Sequence, residues 1–511
     1  MNIKELLIKQ TNACPDKTAI IFNDREISFM RVKDDSFKLA NYFLSFGIKK
    51  EDKVAVFLSN SPETVISFLG TFSIGACLVP LDFMLTEEEI VHFINHSQAK
   101  VLVTQIKKGV SLSGIRSKCD SLEKIIVCYE NGEGGCYWQD ILENNSGAVP
   151  NVAIDEECSS SIFYTSGSTG HPKGVRLTYK NFDAPINCIT HHLSLSNDDM
   201  LLCGGLPFSH LGGLDYILLM LYFAQTLVLM SKFHPLEFLK NIEKHKITLF
   251  WTVPPMYIVV LSLKGYDKVD LSSLKYAVVF GAPSSPILLR RFHQLCPNAH
   301  LINGWGMTET SAPNCFLPPG IEKIDSVGKF SPGMTAKIVD DEGNTRGVNQ
   351  EGELWVRGEG VMKEYYNAPE LTAEVLTSDG WLKTGDVARF DDEGLCYIVG
   401  RKKDMIKVAG EVVFSSEVEE KIMRYPQVTE AAVIGVFDKL RGEVPKAFIV
   451  AKEEIDVGQL KDFLKEKLTH FKIPHHFEFV IELPKNRVGK IDKQRLKQIQ
   501  ATSNKSQVSG F

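Results

Sequence analysis

Short runs rich in β-branched and aromatic residues recur along the chain with helical patterns between them, and this alternation restricts the fold more than any other feature. DKVAVFLS, AKVLVTQ, KIIVCY, SSIFYTS, ITLFWTV, LKYAVVFGA and HLINGWG are each followed by a turn or an amphipathic segment. Strands that alternate with helices bury both faces of a parallel sheet, so an α/β chain of layered sheets is expected. From about Gly328 the texture changes to KIVDDEGN, GELWVRG and RFDDEGLCYIVG, short strands whose DDEG stretches are hairpin signals. A small β-rich subdomain over about 328–400 follows from that change. After Gly400 the order is helix (SSEVEEKIMRY), strands (EAAVIGVFD, KAFIVAKE), helix (QLKDFLKEKLTHF) and strand (HFEFVIEL), enough for a compact α+β domain. The expected organisation is a large N-terminal domain over 1–400, a connector at 401–403 and a small C-terminal domain over 404–511. The polar tail ATSNKSQVSGF is expected to fray.

Composition excludes several classes. With 511 residues, 44% of them hydrophobic, the chain can bury several cores. Its 57 Lys and Arg against 63 Asp and Glu give a net charge of -6, so no basic field draws in nucleic acid. Eleven cysteines, an odd number without a CxxC pair, read as the reduced thiols of a cytoplasmic protein. MNIKELLIKQTNACPDK breaks every apolar run with a polar residue, so it reads as an amphipathic first helix and not a secretory signal. Residues 211–230, LGGLDYILLMLYFAQTLVLM, are long enough to span a bilayer, but Asp215 and Gln225 would be unsatisfied in lipid. A buried helix followed by a strand is expected there instead, with no transmembrane segment.

The most informative segment is YTSGSTGHPKG (164–174), directly after the apolar run SSIF. Glycines let backbone N–H groups approach an anion, hydroxyls donate further hydrogen bonds and a lysine supplies charge, which together make a polyphosphate cradle. Taken alone, a Ser/Gly run is also a surface loop. It is not a GxxxxGK[ST] loop, because Lys173 follows Pro172 and precedes Gly174.

YTSGSTGHPKG resembles the signature of the adenylate-forming superfamily of acyl-CoA synthetases, luciferases and peptide-synthetase adenylation domains. Further segments in the same order carry the resemblance over essentially the whole chain. Gly304-Trp305-Gly306-Met307-Thr308-Glu309 resembles YGxTE, Lys383-Thr384-Gly385-Asp386 resembles xTGD, GRKKDMIK (400–407) resembles GRxKDxIK, and Lys490 lies where the family carries its last lysine. The resemblance implies ATP and Mg²⁺ as reactants and coenzyme A as co-substrate. It places Thr165, Ser166, Gly167, Ser168, Thr169, Gly170 and Lys173 on the phosphates, Gly281, Ala282 and Pro283 along the adenine, and Asp386 with Arg401 at the ribose. Gly304, Trp305, Gly306 and Met307 complete the nucleotide site, with the Trp305 ring, where the family usually has Tyr, stacked on the adenine. Glu309 and Thr165 are implied as Mg²⁺ ligands, oxygen donors that suit a hard ion. Thr308 is implied on the α-phosphate and Lys490 on the carboxylate and α-phosphate oxygens. Taken alone, Thr-Glu-Thr is also a helix N-cap, Asp386 a turn residue and Arg401 a solvated charge. Lys403 matches the hinge about which the small domain turns, bringing Val408, Ala409 and Gly410 to the pantetheine channel. Ser415 stands where Pro is common and is expected to loosen its loop.

PFSHLGG (207–213) resembles the PxFHxxG segment of acyl- and aryl-CoA ligases, with His210 as a gate beside the substrate carboxylate. Peptide-synthetase domains tend to carry at this place an Asp that pairs with an α-amino group, and His210 cannot form that pair. LDYILLML, TVPPMYIVVL and VVFGAP, expected to line the acyl pocket with Phe280 and Gly304, are almost wholly apolar, and Phe280 takes a place where small residues are frequent, where it is expected to shorten or reshape the tunnel. The resemblance therefore implies a medium- or long-chain fatty acyl-CoA ligase. The alternative is an enzyme that loads an aryl or acyl group onto a carrier-protein pantetheine. A homodimer and peripheral membrane contact are compatible with both.

Overall fold

A computed structural model describes residues 1–508 apart from 130–134, 166–171, 264, 266–267, 282–285, 410 and 486–489, with the backbone alone for 287 and 501–508. Two large sheets form the N-terminal part. One runs Lys329–Phe330, Cys315–Phe316, His300–Trp305, Tyr276–Val279, Leu249–Thr252, Met200–Cys203, Thr226–Leu229, Thr18–Phe22 and Arg25–Ser28 from edge to edge. The other runs Glu364–Tyr365, Lys173–Thr178, Ser159–Thr165, Cys77–Pro80, Lys53–Phe57, Val101–Gln105, Lys124–Cys128 and Cys136–Tyr137. The centres of both sheets are parallel, as expected of strands joined by helices; antiparallel pairs close both edges of the first sheet and one edge of the second, while Cys136–Tyr137 at its other edge pairs parallel. Each of the seven β-branched and aromatic runs from DKVAVFLS to HLINGWG forms a strand of one of these sheets.

Local chemistry sets the helices between them. In Pro62–Ser73 the Ser61 hydroxyl accepts from the Thr64 N–H at 3.3 Å, and Pro62 occupies the first turn, where its missing N–H costs nothing. Residues 211–230 form a helix, Leu211–Phe223, which ends at Ala224 and is followed by the strand Thr226–Leu229. No helix among the described residues is long and apolar enough to cross a membrane. The Gln225 amide nitrogen donates to the Ser196 carbonyl at 2.8 Å, while its side-chain oxygen is buried without a hydrogen-bond partner among the described residues. Asp215 is also buried, but neither of its carboxylate oxygens has a hydrogen-bond partner among the described residues.

The β-rich subdomain is an antiparallel sheet of Met334–Val339, Gly352–Gly358, Leu382–Phe390 and Cys396–Arg401. In its second DDEG turn Asp391 Oδ1 accepts from the N–H groups of Glu393 and Leu395 at 3.0 and 2.9 Å. Gly328 docks this sheet on the larger one. Its φ is +95°, and a Cβ there would stand 1.9 Å from the Phe316 carbonyl oxygen, inside a backbone that cannot move aside. Gly328→Ala is expected to lose about 3 kcal/mol of stability, read as a lower urea midpoint.

The C-terminal domain carries the order Glu411–Phe414, Met405–Val408, Gly442–Ala451 and Val428–Asp438, with His476–Phe479 also pairing Gly442–Ala451. Two expectations change here. The helix Lys493–Val508 continues through residues 501–508 of the polar tail expected to fray, and Leu496 in its first turn is buried. Ser415 ties its stretch instead of loosening it: the hydroxyl donates to the Asp404 carbonyl at 3.2 Å and accepts from Lys493 Nζ at 2.8 Å.

Candidate active site

The phosphate-loop sequence joins two antiparallel strands, Ser159–Thr165 and Lys173–Thr178, with Thr165 directly opposite Lys173. Ser166, Gly167, Ser168, Thr169 and Gly170 lie outside the described residues, as do Ala282, Pro283 and Gly410. A hairpin, unlike a strand-to-helix turn, returns the lysine to the side of the threonine. Lys173 Nζ lies 4.7 Å from the centre of the Tyr365 ring, and the Tyr365 hydroxyl donates to Glu309 Oε1 at 2.9 Å. Burial and the Glu309 charge raise the Tyr365 phenol, so it stays a donor. Glu309 sits in the 3₁₀ turn Thr308–Thr310, held by the Met362 N–H on its carbonyl at 2.8 Å. Thr165, Lys173, Tyr365 and Glu309 thus form one linked row.

Among the described residues no group of three or more His, Cys, Asp or Glu could hold a metal. A single buried carboxylate with a threonine hydroxyl fits an ion that takes most of its ligands from phosphate and water, which is how Mg²⁺ binds.

The strand His300–Trp305 delivers Gly304 and Trp305, followed by Gly306 and Met307. Packing within the protein already requires both glycines: a Cβ on Gly304 would meet the Phe316 ring at 2.5 Å, and one on Gly306 the Ala312 Cβ at 2.5 Å. Trp305 is enclosed by neighbouring side chains. It is 7% exposed, its ring lies 5.5 Å from that of Phe330, and its indole N–H donates to Asp386 Oδ2 at 2.9 Å. Asp386 faces Arg401 across the sheet and takes its Nε at 2.6 Å on Oδ1. Burial raises the Asp386 carboxyl, against the opposing pull of Arg401 and Trp305.

Lys490 reaches this group from the C-terminal domain. Its Nζ lies 3.9 Å from where a Cβ on Gly281 would stand, an ordinary contact distance, and Gly281 has φ +84°, so the backbone calls for glycine there. Burial, and then the Arg401 charge, bring the Lys490 ammonium down to about 8, with Asp386 opposing. His210 immediately precedes the helix Leu211–Phe223, with Nε2 out of solvent and 3.9 Å from Asp82 Oδ2. Burial lowers its pKa, with Asp82 opposing and Lys490 reinforcing, so the ring is neutral at pH 7.

On the acyl side Phe280 packs over Gly212, where a Cβ would stand 2.8 Å from Phe280 Cζ. Trp251 Nε1 donates to the Gly212 carbonyl at 2.7 Å, and the Trp251 ring stacks on Tyr216 with centroids 3.7 Å apart. The Tyr216 hydroxyl donates to the Trp251 carbonyl at 2.9 Å and accepts from the Trp251 N–H at 2.8 Å.

Lys403 lies in the 3₁₀ turn Lys402–Asp404, where its charge is one of those opposing the upward shift that burial gives Asp386. Val408 ends the strand Met405–Val408, and the Ala409 N–H donates to the Arg441 carbonyl at 2.8 Å, which holds both on the C-terminal sheet. Sequence reasoning missed Asp82, Tyr365, Trp251 and Tyr216. The last two stand inside ITLFWTV and LDYILLML, where they read as apolar lining, and no local signal marked the first two.

A family model for AMP-binding enzymes matches residues 7–366, and one for the AMP-binding enzyme C-terminal domain matches 417–490. The chain is 33% identical, over 97% of its length and 94% of the relative's, to a long-chain-fatty-acid–CoA ligase of Bacillus subtilis (strain 168). It is 32% identical, over 93% and 89%, to 4-coumarate–CoA ligase 1 of Solanum tuberosum. The crystal structure of the anthranilate CoA ligase AuaEII in complex with anthranoyl-AMP superimposes with a TM-score of 0.92 at 28% identity, covering 99% of this chain and 98% of that one.

Proposed function

We propose, from the premise that this chain belongs to the AMP-binding enzyme family and is an AMP-forming acid–thiol ligase, that it joins a carboxylic acid with an apolar acyl group to the α-phosphate of ATP and then passes the acyl group to coenzyme A. The observation that carries this reading is the convergence on Lys490 of segments remote in sequence: Gly281 beside its ammonium, His210 within its field, and Asp386 with Arg401 close by.

Bringing a carboxylate to a phosphate concentrates negative charge, which Lys490 neutralises at the carboxylate and α-phosphate oxygens with the Thr308 hydroxyl beside it. The loop from Thr165 through Ser166, Gly167, Ser168, Thr169 and Gly170 to Lys173 cradles the outer phosphates. Asp386, oriented by Arg401 and Trp305, accepts the ribose hydroxyls, and Gly281, Ala282 and Pro283 border the adenine. Mg²⁺, held by Glu309 and Thr165, neutralises phosphate charge when bound. His210, neutral, stands where the acid's carboxylate enters. A turn about Lys403 then withdraws Lys490 and presents Val408, Ala409 and Gly410 to the pantetheine arm. Long-chain fatty acids, 4-coumarate and anthranilate, named for the relatives, are all carboxylic acids, and the apolar lining here suits a hydrophobic acyl group.

A lysine with a lowered pKa is charged below that value and loses its charge as pH rises through it. In the free enzyme kcat/KM for ATP–pyrophosphate exchange is expected to fall above pH about 8. Lys490→Arg, which holds its charge to higher pH, is expected to move that limb upward. A limb unmoved in this variant would assign the ionisation to another group.

The deciding experiment is pyrophosphate release with Mg-ATP across a panel of carboxylic acids, with and without coenzyme A. Turnover that needs both an acid and coenzyme A supports the reading. Release without turnover on coenzyme A points to a carrier-protein acceptor, and silence on every acid overturns it.

A further inference from the structure

The acyl group must start where the carboxylate is held, between Lys490 and His210. Gly281 lies against the Lys490 ammonium, and Phe280 is the residue before it. His210 lies two residues before Gly212. The two sides of the acyl entrance therefore lead at once to the pair Phe280 and Gly212. There the ring tip of Phe280 stands so close that a methyl group on Gly212 would be 2.8 Å from Cζ and 3.8 Å from Trp251 Nε1.

Behind this contact nothing yields easily. Tyr216 and Trp251 are stacked face to face, 0% and 5% exposed, and locked by three hydrogen bonds to each other's backbone or to the Gly212 carbonyl. Moving either ring breaks buried hydrogen bonds as well as packing. Phe280 is only half-buried and is the one ring of the three free of such bonds by its chemistry.

We propose that Phe280 limits the length of the acid, and that the substrate is compact, ring-sized or shorter, lying against the Phe280 face instead of passing between the helix Leu211–Phe223 and the strand Tyr276–Val279. This rests on the ligase reading and replaces the medium- or long-chain fatty acid suggested by the apolar texture of the sequence. Apolar lining measures hydrophobicity and not depth. Depth is set by what stands beside the carboxylate site, and there the Phe280 ring closes on Gly212.

Pyrophosphate release measured with benzoate, butyrate, octanoate and palmitate tests it, in the parent and in Phe280→Gly and Phe280→Leu. The parent is expected to favour benzoate or butyrate over palmitate by at least about tenfold in kcat/KM. Phe280→Gly is expected to raise the palmitate-to-benzoate ratio by about tenfold or more, and Phe280→Leu by less. A ratio between acids is insensitive to the fraction of folded enzyme, and Phe280→Leu keeps a large apolar side chain should glycine prevent folding. A parent that prefers palmitate, or variants with an unchanged order of acids, would overturn the proposal. Silence on all four acids and every other carboxylic acid would overturn the ligase reading, and this inference with it.

Discussion

Lys490→Ala is expected to slow formation of acyl-AMP by about 10²–10³-fold, the usual consequence of removing a donor aimed at developing negative charge. Transfer of a supplied acyl-AMP to coenzyme A should stay within about threefold of the parent, because the proposed turn about Lys403 withdraws Lys490 before that step. The two partial reactions are measured separately, by ATP–pyrophosphate exchange and by thioester formation from synthetic acyl-AMP. Lys490 is held near Gly281, Arg401 and Asp386, and burial has already lowered its affinity for a proton, so its charge is costly in the empty site. That cost is tolerated where anionic oxygens arrive to be neutralised. Equal loss in both partial reactions would mean that the residue supports the fold of the site and not the first step. No loss in exchange would remove it from the mechanism.

Asp215→Asn is expected to stabilise the protein, increasingly so as pH rises. The carboxyl is wholly buried in the helix Leu211–Phe223, neither oxygen has a hydrogen-bond partner among the described residues, and burial raises its pKa well above the ordinary 3.8. An acid whose folded pKa is raised keeps a proton that the unfolded chain has lost. Its contribution is present in full below the unfolded pKa and disappears as pH rises toward the folded one. The slope is about 1.4 kcal/mol per pH unit for a single proton. Asparagine has nearly the same shape and does not titrate, so the difference in melting temperature between variant and parent should widen from pH 5 to pH 8. At pH 8 the variant is expected to be more stable by at least about 2 kcal/mol. Parallel melting curves across that range would show that the carboxyl finds a charged partner.

Chain order and local pattern carried much of the architecture. The apolar runs became strands because a stretch of β-branched and aromatic residues suits a pleated, buried surface wherever it is placed. The DDEG turns formed because an Asp side chain caps the N–H groups of the residues just after it. Contiguous groups, such as Thr308 with Glu309 or Gly281 after Phe280, could be named from the sequence for the same reason. Ser415 shows the limit of that approach. Measured against proline it read as a loosening, yet its hydroxyl found Asp404 and Lys493, and the latter lies 78 residues away.

What the sequence by itself determined is therefore the set of elements, their order and the chemical types at the site, since these depend on neighbours along the chain. Only the tertiary structure decided which distant groups meet. The indole of Trp305 meets Asp386 across 81 positions and Tyr365 meets Glu309 across 56, because a strand end and a sheet register bring them together. Phe280, directly after the strand Tyr276–Val279, meets Gly212 in the first turn of the helix Leu211–Phe223, because the fold sets these two element ends side by side. Close packing leaves no freedom in such distances, and composition contains no record of them, so the bulk at Phe280 could be read from the sequence but its contact with Gly212 could not.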